Sequence, residues 1–391
     1  MGDLLTIGDA LARVLERVQP LSAEDVPLAD AAGRVAAEPA AAAIDLPPFP
    51  SSAMDGYAVR SGDTPGTLRV IGQSAAGHPA SLPVVAGTSI AISTGAVVPE
   101  GADAVVPVER TDGGAEAVAV EAVAPGDNVR PRGGDVHAGD VVVTAGSAIG
   151  PVQIGALAGS GVSTVRCGRR PRVAVLATGS ELRRSGEPLG PGQIYESNGV
   201  MLAAQLQRAG AVPELLGAVA DDRTATRAAL ERGLDADVLV TSGGVSVGEH
   251  DLVRDLLAEL GVVEVFWRVA VKPGKPIAFG TREATLVFGL PGNPVSSLVG
   301  FELFVRPALL ALQGASSAAP AYLPGRLASP LRRNPGRDEL VRARREGARL
   351  APLVGQESHM IARAAAADAL VLVPRGEGEL AAGEEVSWLP L

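Results

Sequence analysis

The sequence predicts a multidomain protein: a central α/β domain with a parallel-type sheet, a β-rich inserted module ahead of it, and a C-terminal β-barrel-like domain. Three observations carry that prediction. At 391 residues the chain exceeds what one hydrophobic core comfortably organises. Three short apolar runs, at 172–177, 238–240 and 285–290, each break at a glycine-bearing turn, and helical patterns are interspersed with them. On either side of them the pattern changes to short β runs separated by Gly, Pro and Asp. The composition is 47% hydrophobic but 3% aromatic, so the cores are built mainly from Ala, Val and Leu. Forty-eight Gly and 30 Pro, with apolar residues spread throughout, signal turns and linkers rather than disorder.

In chain order, Ile7, Leu11, Val14, Leu15 and Val18 have the spacing of one helix face over 6–18, with Thr6 as cap and Pro20 as stop. The alanine-rich 28–43 predicts a short helix around Gly33 and then an extended crossing. Ile44-Asp45-Leu46-Pro47-Pro48-Phe49-Pro50 cannot be helical, because each proline pushes its predecessor toward extended backbone. A boundary falls there, giving an N-terminal unit of 1–44 plus 145–169 and an inserted module of 45–144. Inside the module, β runs are expected at 67–71, 89–92, 104–108, 117–122 and 141–144. A short helix begins at 151–157, followed by an apolar run at 162–165. The α/β domain is placed at 170–316, with an amphipathic helix at 198–208 that aligns Met201, Leu202 and Leu206, a helix at 251–260, a strand-like 264–270, and a helix from Val295 to about Leu312 ended by Gly314. In 317–391, strands are expected at 325–327, 340–343, 349–352, 370–373 and 385–389, with a helix over 361–369.

Bulk properties exclude several classes. A net charge of −10 without a long Lys/Arg stripe argues against a nucleic-acid partner. Arg332, Arg333, Arg342, Arg344 and Arg345 are interleaved with acids and read as a solvated strand face. The single Cys167 excludes an internal disulfide and a Cys-rich zinc site and reads as a small buried or turn residue. Four scattered His lack ligand spacing. With no basic N-terminal region before an apolar run and no uninterrupted apolar stretch of about 18 residues, a soluble cytoplasmic protein without a membrane span is expected.

The chemistry-bearing residues cluster after the apolar runs. Thr241-Ser242-Gly243-Gly244-Val245-Ser246-Val247-Gly248 presents bare N–H groups ahead of a helix, which is an anion cradle, and Asp251 adds a carboxylate at the helix mouth. Thr178-Gly179-Ser180-Glu181 and Pro291-Gly292-Asn293-Pro294 end the other two runs. Any one of these loops reads equally well as an ordinary turn; three in one domain favour a shared binding edge beyond the carboxyl ends of the strands. Lys272 and Lys275 lie on a proline-stiffened loop that suits pyrophosphate or an oxyanion, with Arg268 as a third cation upstream. Glu181, Asp221, Asp222 and Asp251, if they meet, form a hard oxygen site for Mg²⁺, although Asp221-Asp222 reads equally as a helix cap. Read alone, 52–60 is a turn opening a strand. Arg130 and Arg132 near Gly133 and Gly134 either grip an oxyanion or are surface charges paired with Asp135.

Ser52-Ala53-Met54-Asp55-Gly56-Tyr57-Ala58, the Thr241–Gly248 loop, Lys272-Pro273-Gly274-Lys275-Pro276 and Gly289-Leu290-Pro291-Gly292-Asn293-Pro294-Val295-Ser296 occur in that order. Together they closely resemble the MoeA family, the molybdopterin molybdenumtransferases related to the gephyrin E domain, over nearly the whole chain. The resemblance implies a MoaB/MogA-like central domain and a homodimer of four-domain subunits. It implies a reaction in which molybdate is inserted into adenylylated molybdopterin with Mg²⁺ present and AMP released. Molybdopterin adenylyltransferase and molybdoenzymes would be partners. It assigns catalysis to Asp55, Glu181, Asp251, Lys272 and Lys275, and metal binding to Glu181, Asp221 and Asp251. Substrate binding falls to Thr94, Arg132, Asp135, Thr178, Gly179, Ser242, Gly243, Gly244, Ser246, Pro291, Gly292, Asn293 and Pro294. Asp55, Thr94 and Asp135 would reach the site from the second subunit. Ser180, Arg268 and His250-Asp251-Leu252 depart from the commonest family pattern. Two competing readings are a neighbouring enzyme that adenylylates molybdopterin, which the β-rich flanks oppose, and a non-catalytic scaffold, which the retained Asp55, Glu181, Asp251 and Lys272 oppose.

Overall fold

The computed structural model describes residues 4–244 and 252–391. Its centre is a six-stranded sheet in the order Val212–Val219, Arg172–Thr178, Val238–Ser242, Thr285–Leu290, Ala278–Arg282, Val263–Trp267. The first four strands are parallel. The last two join by antiparallel pairing, which adds to the parallel-type sheet expected. The reason is local: only Glu283 and Ala284 separate Ala278–Arg282 from Thr285–Leu290, room for a hairpin turn and not for a crossover helix. Glu283 takes the positive φ (52°) that such a turn requires.

Alternation along the central strands sorts the side chains to two faces. Val173, Val175, Val238 and Val240 point into one core with Leu202 and Leu206 of the helix Asn198–Arg208 and with Val299 and Phe304. Ala174, Leu176 and Leu239 point into the other with Leu230 of Arg223–Gly233 and Val253 and Leu256 of Leu252–Glu259. Being covered on both faces is why Val238–Ser242 is buried at every residue. Capping sets two helix starts: Thr6 Oγ1 accepts from Asp9 N–H (3.0 Å), and the Asp222 carboxylate accepts from Ala225 N–H (2.7 Å).

The helical run Pro294–Leu312 passes through one π turn at Phe301–Val305. By length and composition it is apolar enough to cross a membrane, yet its most apolar window is 78% buried inside the protein, so it is a core helix.

Ahead of the α/β domain, Ala23–Pro27 pairs with Thr164–Gly168 and Ala40–Ala41 with Val141–Val143. Cys167 is fully buried there, and burial pushes its thiol upward. The helix expected near Gly33 reduces to one 3₁₀ turn, Leu28–Asp30, because the following segment is pinned by backbone bonds from Gly33 to Ile149 and from Ala36 to Ser147. The β-rich module is a five-stranded sheet in the order Ala104–Pro107, Gly56–Val59, Thr88–Ile92, Gly66–Ser74, Ala117–Val120.

The C-terminal strands close on themselves as a five-stranded barrel: Asp338–Glu346, Arg349–Pro352, Leu323–Leu327, Glu385–Pro390, Ala369–Val373 and back to Asp338–Glu346. Val271–Lys272 of the α/β domain joins its outside in parallel. The helix expected over 361–369 is only Ile361–Ala364, because Ala369 pairs with Ala343 in the barrel and the alanines before it must turn. Helix propensity yields there to tertiary pairing. Arg342 is also not on a solvated face. It is 1% exposed and donates to the carbonyls of Gly355, Glu357 and Met360 and to Gln356 Oε1. A guanidinium has the donors to satisfy four acceptors at once, which makes burial tolerable.

Candidate active site

The three glycine loops end strands that are neighbours in the sheet, so they meet. Gly243 N–H donates to Leu290 O (3.1 Å), and a side chain on Gly292 would stand 3.7 Å from Gly243 Cα. Gly243, at φ +91°, admits no Cβ without a 2.7 Å approach to Thr178 O, and a Cβ on Gly179 would lie 2.5 Å from the Glu181 carboxylate. Gly244 would drive a side chain into Val253. Asn198, 8% exposed at the start of its helix, ties two loops together: its Nδ2 donates to Ser242 Oγ (2.8 Å) and to Gly292 O (2.7 Å). Ser297 Oγ donates to Pro291 O (2.6 Å), and Asn293-Pro294 opens the core helix.

These loops border a cleft of about 510 Å³. Thr178, Glu181, Asn198, Ser242 and Asn293 line one side, and His359 and Ile361 of the barrel close it. The barrel loop is fixed in two ways: Val295 N–H donates to Ser358 O (3.0 Å), and Arg342 holds its carbonyls from beneath. Asn198 and His359 were not among the sequence-derived candidates. Asn198 could have been noticed as a polar residue opening an amphipathic helix; His359 carries no local signal. A second, more apolar cavity of about 370 Å³ lies under Leu252–Glu259, beside Trp267. Among the described residues of the glycine loops only Thr241 lines it, whereas all three loops line the 510 Å³ cleft, which is the better site.

The other candidates distribute as follows. Ser180 N–H and Oγ both bond the Asp221 carboxylate (3.3 and 3.0 Å), tying Asp221 to the residue that precedes Glu181, while Asp222 is the helix cap. Among the described residues no group of three or more His, Cys, Asp or Glu gathers closely enough to hold a metal. Ser246 and Asp251 lie outside the described residues. Lys272 Nζ donates to Glu339 (2.9 Å), Lys275 is exposed on the same loop, and Arg268 stacks 3.7 Å from the Trp267 ring centroid. In the β-rich module, Thr94 N–H donates to Asp55 Oδ1 (2.8 Å). Arg132 pairs with Asp45 (2.6 Å), not with the neighbouring Asp135. The Ala138 N–H and then Arg132 hold the Asp45 carboxyl below its usual range. Asp55, Thr94, Arg132, Asp135, Lys272 and Lys275 are not among the residues lining the cleft.

Three family models match in series: MoeA N-terminal region (domain I and II) over residues 5–161, probable molybdopterin binding domain over 174–311, and MoeA C-terminal region (domain IV) over 324–391. The chain is 36% identical to the molybdopterin molybdenumtransferase of Haemophilus influenzae, covering 99% of this chain and 98% of that one. It is 38% identical to molybdopterin molybdenumtransferase 2 of Mycobacterium tuberculosis, over 96% of each. Among solved structures, the molybdopterin biosynthesis MoeA protein of Pyrococcus horikoshii OT3 superposes with a TM-score of 0.86 at 29% identity over the whole of both chains. The chain therefore belongs to the MoeA family, the molybdopterin molybdenumtransferases, transferases of molybdenum cofactor biosynthesis.

Proposed function

We propose that the protein inserts molybdenum from molybdate into adenylylated molybdopterin, with Mg²⁺-dependent release of AMP, and that it does so as a homodimer. The observation that carries this reading is the meeting of the loops at Gly179, Gly243 and Gly292 beside a 510 Å³ cleft, where a Cβ on Gly243 would stand 2.7 Å from Thr178 O and one on Gly292 would contact Gly243 Cα. Backbone N–H groups in such a rim bind phosphates closely. Thr178, Gly179, Ser242, Gly243, Gly244 and Ser246 hold the phosphate-bearing substrate, and Pro291, Gly292, Asn293 and Pro294 shape the third side. Lys272 and Lys275 take the tetrahedral oxyanion.

Asp221 is bonded by Ser180, the chain neighbour of Glu181; both carboxylates are exposed, pair with no cation among the described residues and offer hard oxygen ligands. That fits Mg²⁺, which these two and Asp251 would hold. Bound there, Mg²⁺ neutralises phosphate charge. The remaining requirements are positioning and exclusion of water rather than a covalent nucleophile. Consistent with that, the one thiol, Cys167, is buried, while the sulfur ligands of molybdenum belong to the substrate.

Asp55, Thr94, Arg132, Asp135, Lys272 and Lys275 do not line this chain's own cleft; the proposal brings Asp55, Thr94 and Asp135 in from the second subunit and sets the two lysines on the adjoining loop. It also places the protein in the cytoplasm, between molybdopterin adenylyltransferase, which supplies the substrate, and the molybdoenzymes that accept the product. The test is Asp251→Asn: molybdate-dependent AMP release from adenylylated molybdopterin is lost while the oligomeric state stays unchanged. Full turnover in that variant removes Asp251 from the mechanism.

A further inference from the structure

One strand pairing between the barrel and the α/β domain is a seam of two residues. Val271 and Lys272 pair in parallel with Asp338 and Glu339, which sets Lys272 directly across from Glu339. Their side chains meet at 2.9 Å, with the Glu339 side chain 15% exposed and that of Lys272 47% exposed. The acid is thus the fixed member of the pair and the lysine the more accessible one. The loop that follows abuts the start of the core helix: a Cβ on Gly274 would stand 3.6 Å from Ser296 O, three residues beyond Asn293.

We propose that Glu339 sets the protein's affinity for its oxyanion. In the empty protein its carboxylate holds the Lys272 ammonium at the seam. When a tetrahedral dianion arrives at Lys272, the same carboxylate repels it and competes for the ammonium's N–H donors. Glu339 is therefore a positioning residue that acts through Lys272, and it keeps oxyanion binding weaker than the two lysines alone would make it. This rests on the assignment of Lys272 as an oxyanion ligand.

Glu339→Gln keeps the size of the side chain and an acceptor for Nζ but removes the charge. A unit charge facing a dianion at about 6 Å in a water-screened seam corresponds to roughly a tenfold effect on affinity, less at physiological salt. Titration of the full chain with molybdate alone is therefore expected to show about 3- to 10-fold tighter binding by Glu339→Gln. In steady state, the KM for molybdate falls without a rise in kcat, a split that a merely structural role does not produce. In the Lys272→Met background the effect of Glu339→Gln disappears. If Lys272→Met weakens binding but Glu339→Gln leaves it unchanged or weaker, the inference fails and the lysine assignment stands. If Lys272→Met leaves binding untouched, the assignment itself fails and takes the inference with it. Should Glu339→Gln lower the melting temperature substantially, Glu339→Asp replaces it: withdrawing the charge from Nζ is expected to tighten binding by a smaller factor, and no gain overturns the inference.

Discussion

Gly243 shows how much of the site is decided by single residues. Its φ of +91° is one that L side chains rarely adopt, and the nearest atom to an added Cβ is the Thr178 carbonyl at 2.7 Å, a backbone atom that cannot swing away. Gly314 has a similar φ, +83°, with nothing within 4 Å of an added Cβ. Both Gly→Ala substitutions incur the backbone penalty of about 1–2 kcal/mol, but only Gly243→Ala displaces a second loop. We expect Gly243→Ala to lose at least tenfold in molybdenum insertion and Gly314→Ala to retain it at comparable stability; equal activity in the two would mean that the close approach of the loops is dispensable. Asp237 makes a second prediction. Burial works to raise its carboxyl, but the two bonds from Arg169 (2.8 and 2.9 Å) and the Arg172 N–H outweigh it, and the net shift is downward. A folded-state value below the unfolded one adds stability that is complete above the unfolded carboxylate range and lost as pH falls through the folded value. The melting-temperature gap between wild type and Asp237→Asn is therefore expected to be widest near neutrality and to close in acid; a gap independent of pH contradicts it.

Most elements were legible because period and punctuation are local properties. The 198–208 helix coincides with the observed Asn198–Arg208, and the β runs of the barrel lie within the observed strands. The misreadings share one cause, long-range pairing. The curtailed helix at Ile361–Ala364 and the buried Arg342 both depend on which distant strand lies alongside. Arg342 is the element-scale prediction. Arg342→Met leaves at least three carbonyls of the 355–360 segment without their donor and is expected to destabilise the protein by about 3 kcal/mol or more. Denaturant unfolding measures this, and a loss below about 1 kcal/mol would show that the segment is held by other means.

At the scale of the whole molecule, the proposal that each site is shared between subunits has a direct consequence. Asp55 sits in the β-rich module and Glu181 at the cleft of the α/β domain. Asp55→Asn and Glu181→Gln homodimers are each expected to be inactive. Unfolding and refolding an equimolar mixture is expected to restore roughly a quarter of wild-type activity, because half of the dimers formed by random pairing are mixed and each contains one intact site. No recovery, despite mass-spectrometric evidence of mixed dimers, means that both residues serve one site within a single subunit.

By itself the sequence determined the family, the α/β core with its β-rich flanks, and the three glycine loops, since ordered motifs and local hydrophobic period need no knowledge of distant contacts. Only the tertiary structure decided that those loops touch, that Asn198 and His359 join their cleft, that Lys272 faces Glu339, and that Arg342 is enclosed. Each of these depends on strand order and on one domain packing against another, and residues far apart in the chain carry no local mark of the neighbour that folding will give them.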